Sequence, residues 1–270
     1  MNTSLIWTSL LQQTLASSNV SAPRGERIRE VFDGNAVVDM NQVLITLPER
    51  KLSLKFAFTE AWWMLTGRDD VETLHNVSKT IVAYSDDGVT FFGAYGKRYI
   101  NQRERVLRAI LRDNDTRHGV ITFWDVANPP DTRDLPCSLS IQWLVRNNKL
   151  HAFYNMRSSD LWLGWPYDIF SFTCMTYHML LSLRERDSFF NRVTLGDLHY
   201  HAGSMHLYDK NMQDALNCVY ANMNSNQSSM VSNRFDFRAL DLIIKSPNDF
   251  IAFLNDYRSM PNKQLRTLWE

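Results

Sequence analysis

Two runs of strand-forming residues, Ser140-Ile141-Gln142-Trp143-Leu144-Val145 and Leu150-His151-Ala152-Phe153-Tyr154, flank the turn-forming tetrapeptide Arg146-Asn147-Asn148-Lys149. β-Branched and aromatic residues on both sides of an Asn-Asn turn read as a β-hairpin, and this constrains the fold more than any other stretch. The hairpin is entered through Leu135-Pro136-Cys137 and delivers the chain to Asn155-Met156-Arg157-Ser158-Ser159-Asp160. In Leu163-Gly164-Trp165-Pro166-Tyr167-Asp168-Ile169-Phe170 the Gly and Pro mark a loop, with helix expected after Asp168.

Of the three cysteines, Cys137, Cys174 and Cys218 are widely spaced and odd in number, which suits neither a disulfide framework nor a zinc site. Cys174 and Cys218 read as small buried hydrophobes on helices. Cys137 differs because it follows a proline at a strand start, where a side chain can face a cavity. Taken without its neighbours, it too reads more readily as structural.

At 270 residues with a 44% hydrophobic fraction, the chain is long enough for one sizeable core, and no repeat or linker divides it, so residues 1–270 are expected to form a single domain. Its formal charge is zero, which argues against a nucleic-acid groove while leaving room for a single phosphate held by a few arginines. No apolar run reaches bilayer length and no signal-like N-terminus is present, so a cytoplasmic protein without a membrane partner is expected.

Four motifs stand in order: Pro136-Cys137, Arg157-Ser158-x-Asp160, Leu163-Gly164-x-Pro166-Tyr167-Asp168, and Gly203-Ser204-x-His206-x-Tyr208. In these the chain resembles the thymidylate synthase superfamily, over most of residues 20 to 245. That family carries Asn at the position of Asp168, His at Ser138 and usually Gln at Met156. The deoxycytidylate hydroxymethylase branch has Asp at the first of these, and its Asn-Met-Arg-Ser string is similar to residues 155 to 158. The end of the chain, Thr267-Leu268-Trp269-Glu270, lacks the family's small apolar terminus that closes over the folate.

Taken in order, residues 3 to 16 place Leu5, Leu10, Leu11 and Leu15 near one helical face. Ser17 to Arg29 is a polar loop with Arg24, Arg27 and Arg29. By itself it reads as a solvated charge run, whereas the resemblance implies a phosphate-binding loop with Arg24 as its best match and Arg27 as the alternative. Val37 to Leu47 reads as strand, and residues 55 to 66 as an apolar helix stopped by Gly67. Glu60 is the anomaly in that helix, since a lone carboxylate is costly to bury unless it is hydrogen-bonded or has a task. Its Glu60-Ala61-Trp62-Trp63-Met64-Leu65-Thr66-Gly67 context resembles the family segment that relays protons over the pyrimidine.

Val71, Leu74, Val77 and Ile81 extend a helical pattern, and Tyr84 to Gly88 is a turn. Gly93-Ala94-Tyr95-Gly96 is similar to a family landmark beside the site, with Tyr95 as its aromatic. Where family methylases place tryptophans against the folate, this chain has Ile81 and Tyr84. Residues 103 to 112 read as a basic helix and Gly119 to Trp124 as a strand. Arg117 resembles the first of two arginines that the family sends across a dimer interface, and His118 replaces the second. Ile169 to Leu183 reads as a core helix, Arg192 to His201 as strand, and 206 to 220 as helix. A polar loop over 222 to 232, a strand over 235 to 244 and a short helix over 247 to 257 complete the pattern. His199 and His201 have no Cys or carboxylate at metal-ligand spacing, so they are expected to be structural, with no metal.

The resemblance implies a three-layer α/β (α+β) fold with a mixed, twisted sheet, dimerising through the sheet face. It implies that Cys137 adds to C6 of a pyrimidine, which makes C5 nucleophilic toward the one-carbon unit of 5,10-methylenetetrahydrofolate. Arg24, Arg157 and a partner's Arg117 would hold the 5′-phosphate with Ser158, and His206 and Tyr208 would hold the sugar hydroxyl. Asp160, with Tyr84, is implied on the folate side. Asp168 is expected to read the base: a carboxylic acid donates one proton and accepts another, which complements cytosine N3 and N4. Loss of an indole at 81 to 84, with Ser138 and Met156, suggests a site open to water and hence hydroxymethyl-dCMP as product. The alternatives are a dCMP methylase, a thymidylate synthase acting on dUMP, and an inactive nucleotide- or RNA-binding homologue.

Overall fold

The structure, a computed structural model, describes residues 2–127 and 131–224. Helix α1 (Thr3–Ala16) is capped by the Asn2 side chain, which accepts the Ser4 N–H. Strands β1 (Val20–Ser21) and β2 (Ile28–Asp39) follow, then α2 (Leu54–Leu65), α3 (Val71–His75) and α4 (Tyr95–Arg112). The chain continues through β3 (Val120–Thr122), β4 (Ser138–Arg146), β5 (Lys149–Asp160), α5 (Trp165–Arg184), β6 (Thr194–Tyr208) and α6 (Met212–Asn224).

The six strands form one sheet in the order β1-β2-β6-β5-β4-β3, antiparallel everywhere except between β5 and β6. The expected hairpin is β4–β5. Asn147 and Asn148 sit at φ 52° and 56°, the left-handed pair that a two-residue turn needs to match strand twist. One face of the sheet is covered by α1 and α5, and α2 packs on α5 as a further layer, as the three-layer expectation requires. Along β5 the residues alternate: Leu150, Ala152, Tyr154 and Met156 are buried under α5, while His151, Phe153 and Asn155 face outward. Trp143, Tyr154, Tyr200, Phe170 and Phe172 fill the centre, with the Tyr154 and Phe172 rings stacked at 3.4 Å.

Several boundaries differ from the sequence reading. The strand expected over 37 to 47 is displaced to Ile28–Asp39, where pairing with β6 sets its register. Residues 40 to 47 bury Val43, Ile45 and Leu47 singly in a loop tied to α1, where the Thr46 N–H donates to Ser4 Oγ at 2.9 Å. That loop reproduces a strand's alternation without a ladder. The helix expected from 206 starts at Met212, because β6 is held through its last residues by β2 (Ile28 opposite Tyr208) and β5 (Asp160 opposite His206). Helix α5 begins earlier than expected, since Pro166 lies in its first turn, where its missing N–H costs nothing. Helix α4 begins at Tyr95 rather than 103, and Gly96 brings it onto α2: a Cβ there would lie 2.4 Å from Met64 O. The elements expected over 235 to 244 and 247 to 257 lie outside the described residues.

Candidate active site

A cavity of about 460 Å³ opens between α2, the start of α4, the segment before β4 and the start of α5. This is a volume typical of small-molecule sites. Glu60, Tyr95, Cys137, Asp168 and Tyr84 all line it, so five of the expected residues converge from five separate stretches of chain.

Cys137 sits half-buried immediately before β4. Its position is fixed from two sides. The Arg157 backbone N–H donates to Cys137 O at 2.8 Å, and the Ser138 N–H donates to Tyr95 Oη at 3.3 Å. The Arg157 guanidinium also straps the approach to Cys137, donating from Nε to Pro136 O and from Nη2 to Leu135 O, both at 3.0 Å. Burial pushes the Cys137 thiol pKa up, the Arg157 and Arg24 charges draw it back, and Asp168 and Asp134 raise it further.

Across the cavity, Asp168 stands in the first turn of α5 and Glu60 in α2. Desolvation, then the Asp168 charge, pushes Glu60 up to about 8, against the bond that Ser171 Oγ donates to Glu60 Oε2 at 3.3 Å. Desolvation likewise raises Asp168 to about 7, with Asp160 adding to it and a hydrogen bond from Tyr200 Oη to Oδ2 at 3.2 Å opposing. Tyr200 Oη lies 2.8 Å from Ser159 Oγ, so a buried hydroxyl pair backs the Asp168 carboxyl. The half-buried Glu60 that lines a cavity accounts for the anomalous carboxylate of the apolar helix.

The expected phosphate and sugar residues gather on a different side. His206 is 7% exposed, its Nδ1 lies 3.4 Å from Ser158 Oγ, and its ring lies edge-on to Tyr208 at 5.3 Å. Arg24, exposed and at φ 55° before Gly25, acts electrostatically on both Cys137 and His206. Arg27 instead faces Asp209 at 3.5 Å, and Arg29 donates to Leu15 O and Ser17 O, which favours Arg24 within this loop. Arg117 and His118 are exposed beside edge strand β3, on a different part of the sheet from the cavity.

Asp160 braces the turn before α5 with Oδ1, which accepts the Trp162 and Leu163 N–H groups at 2.7 and 3.0 Å. Two expectations are corrected. Ser138 and Met156 do not open the site to water: they are 0% and 2% exposed, Ser138 Oγ faces Met156 Sδ at 3.1 Å, and Tyr154 Oη donates to Ser138 Oγ at 3.2 Å. Ile81 and Tyr84, by contrast, do line the cavity. Finally, His199 is joined by a carboxylate: ligand atoms of His151, Asp197 and His199 lie within 4.8 Å of one another on the outer sheet face. His151 Nδ1 already accepts the Asp197 N–H at 3.1 Å, and His199 stacks on Phe153 at 4.4 Å, so both rings have structural partners.

Sequence reasoning passed over Asp134. It lines the cavity, its Oδ2 accepts the Gly93 N–H at 2.7 Å, and burial raises it to about 6. Its only sequence signal is a place in the loop that feeds Cys137. Tyr200 was also passed over, because an inward-facing strand tyrosine looks like core.

The profile of the thymidylate synthase family matches residues 6–266. The chain belongs to the thymidylate synthase family. Among curated relatives, a deoxyuridylate hydroxymethyltransferase of Bacillus phage SP01 is 27% identical over 297 aligned residues, covering 97% of this chain and 73% of that protein. The chain is thus an enzyme of the family that transfers one-carbon units to pyrimidine nucleotides, with methylenetetrahydrofolate as the family's co-substrate. The cavity suits that chemistry in two respects. It has an apolar wall of Phe56, Trp63, Ile81 and Phe91 for a flat ring system, and polar groups that converge beside the Cys137 thiol. No described helix is long and apolar enough to cross a membrane.

Proposed function

We propose that this family member converts dCMP to 5-hydroxymethyl-dCMP. The observation that carries the reading is Asp168, a carboxyl raised to about 7 on the wall of the cavity that holds Cys137. In its neutral form the acid donates to cytosine N3 and accepts from the N4 amino group. Cys137 adds to C6, the C5 carbon takes the one-carbon unit, and Glu60 moves protons at the base. Arg24 and Arg157 hold the phosphate with Ser158, while His206 and Tyr208 hold the sugar; Tyr95 braces Ser138 and thereby the nucleophile. Methylenetetrahydrofolate supplies the carbon, and Tyr84 at the cavity wall lies on its side of the site. The outward sheet face carries Phe153, His199 and the 54% exposed Val37, and it pairs with a second copy that brings its own Arg117 to the phosphate.

Water rather than hydride ends the reaction, which the absence of an indole at Ile81 and Tyr84 and the hydroxymethyltransferase relative both favour. The second reading is dUMP as substrate, favoured by that relative's name. A neutral Asp168 can also accept from uracil N3–H and donate to O4, so the acid form tolerates both bases and the ionised form opposes uracil O4. Incubation with methylenetetrahydrofolate and dCMP or dUMP, followed by nucleotide mass and folate oxidation state, separates these. Gain of CH2O on dCMP with tetrahydrofolate released is expected. Gain of CH2 with dihydrofolate would overturn the water step, and turnover of dUMP alone would overturn the reading of Asp168.

A further inference from the structure

Among the described residues three carboxyl groups line the cavity, and the chemistry proposed above employs only two of them. Asp134 stands three residues before Cys137, on the stretch of chain that lines the cavity ahead of β4. One of its oxygens, Oδ2, accepts the Gly93 N–H at 2.7 Å, and among the described residues Oδ1 accepts no hydrogen bond. The carboxyl is held close to Gly93, where an added Cβ would lie 2.4 Å from Asp134 O and 3.2 Å from Oδ2. Asp134 is therefore fixed in place with one basic oxygen left over, near enough to Cys137 for its charge to raise the thiol.

We propose that Asp134 is the general base for the hydration step, taking a proton from the water that attacks the exocyclic methylene carbon at C5. The inference rests on the hydroxymethyl reading and adds the residue that would carry its last step. The water oxygen bonds to the methylene carbon, and its proton passes to Asp134. The methylene π pair moves into the ring, re-forms C5=C6, and the C6–S bond breaks to return the Cys137 thiolate. One water is consumed and nothing is oxidised or reduced.

Electrostatics agree with the division of roles. Glu60 and Asp168 are raised to about 8 and 7, so near neutrality they keep protons to donate. Asp134 is raised only to about 6, so it is the carboxyl ready to accept one. Around it, burial and Asp86 push it up, whereas the Gly93 N–H and the Arg98 charge hold it down. A structural brace alone would need only the oxygen bonded to Gly93.

The test is a single-turnover experiment on the full chain with methylenetetrahydrofolate and whichever 5-tritiated nucleotide the wild type turns over. Tritium release reports loss of the C5 proton, and hydroxymethyl product reports hydration. In Asp134→Asn, which retains an acceptor for Gly93, tritium release is expected within about twofold of wild type while product forms about 100-fold more slowly. Added 2-mercaptoethanol should then capture the methylene as a thioether nucleotide. In the wild type, product formation should fall below pH about 6 faster than tritium release does, a readout that stands even if the variant fails to fold. Product at the wild-type rate in Asp134→Asn, an equal slowing of both steps, or a parallel fall of both with pH would each overturn the assignment. Absence of tritium release from the wild type would instead overturn one-carbon transfer to C5 itself.

Discussion

The two walls of the cavity hold their functional groups by opposite means. Glu60 and Asp168 project from packed helices α2 and α5, and their surroundings deny them charge: both carboxyls are raised, to about 8 and about 7. Cys137 and Asp134 lie on irregular chain before β4 and are held by hydrogen bonds to backbone, from Arg157 N–H to Cys137 O and from Gly93 N–H to Asp134 Oδ2. A helix pair offers apolar surroundings, which suit an acid that must keep its proton. On the loop, burial raises Cys137 and Asp134 as well, but the Arg157 and Arg24 charges beside the thiol and the Gly93 N–H and Arg98 charge beside Asp134 pull against it, so part of the desolvation is offset where anions must form.

The largest break in this comparison comes from Cys137→Ala, which should reduce tritium release from C5 by about 10^3-fold or more while leaving nucleotide binding measurable by calorimetry. Retained turnover would mean that the covalent adduct is not on the reaction path. Next, Asp168→Asn should shift the dCMP-to-dUMP ratio of kcat/KM toward uracil by about 100-fold, because an amide has a single acceptor oxygen and cannot accept from both the N4 amino group and a protonated N3, as a carboxylate can. An unchanged ratio would remove Asp168 from base reading.

Glu60→Gln should lower turnover by about 10²-fold yet raise stability at alkaline pH. The sign follows from the direction of the shift: a carboxyl raised from 4.5 to about 8 binds its proton more tightly in the folded chain. Its contribution is full below pH 4.5 and is lost as pH rises toward 8, so wild-type Tm should decline across that window. The variant should flatten the decline, with a difference on the order of 2 kcal/mol at pH 8.5. Arg157→Lys should raise KM for nucleotide about tenfold, since an ammonium cannot reach both backbone carbonyls and a phosphate as the planar fork does. The smallest effect is expected from Tyr200→Phe, which removes the hydroxyl donated to Asp168 Oδ2 and should move the acidic carboxyl titration upward, with a stability loss of about 1 kcal/mol. A pH profile identical to the wild type would show that Tyr200 serves packing alone.

The hairpin and the motifs that bring Cys137 and Asp168 to one cavity were legible in the chain because each rests on local chemistry. An Asn-Asn pair tolerates the left-handed φ that a two-residue turn needs, and Pro136-Cys137 and the 163–168 motif are contiguous. What failed was alternation read as strand over 40 to 47, where a loop buries every second side chain beneath α1, and the end of β6, which two neighbouring strands prolong to Tyr208. Ser138 and Met156 illustrate the same limit: their identities were read correctly, but their enclosure against Tyr154 depends on β4–β5 pairing.

The sequence by itself determined the family motifs and the β4–β5 hairpin, because turn chemistry and contiguous motifs are properties of neighbouring residues. Only the tertiary structure decided that Asp134 shares a cavity with Cys137, Glu60 and Asp168, that Asp160 spends an oxygen on a turn, and that the three cavity carboxyls are raised to different extents. Desolvation is set by what packs around a group from distant parts of the chain, and no local pattern encodes it.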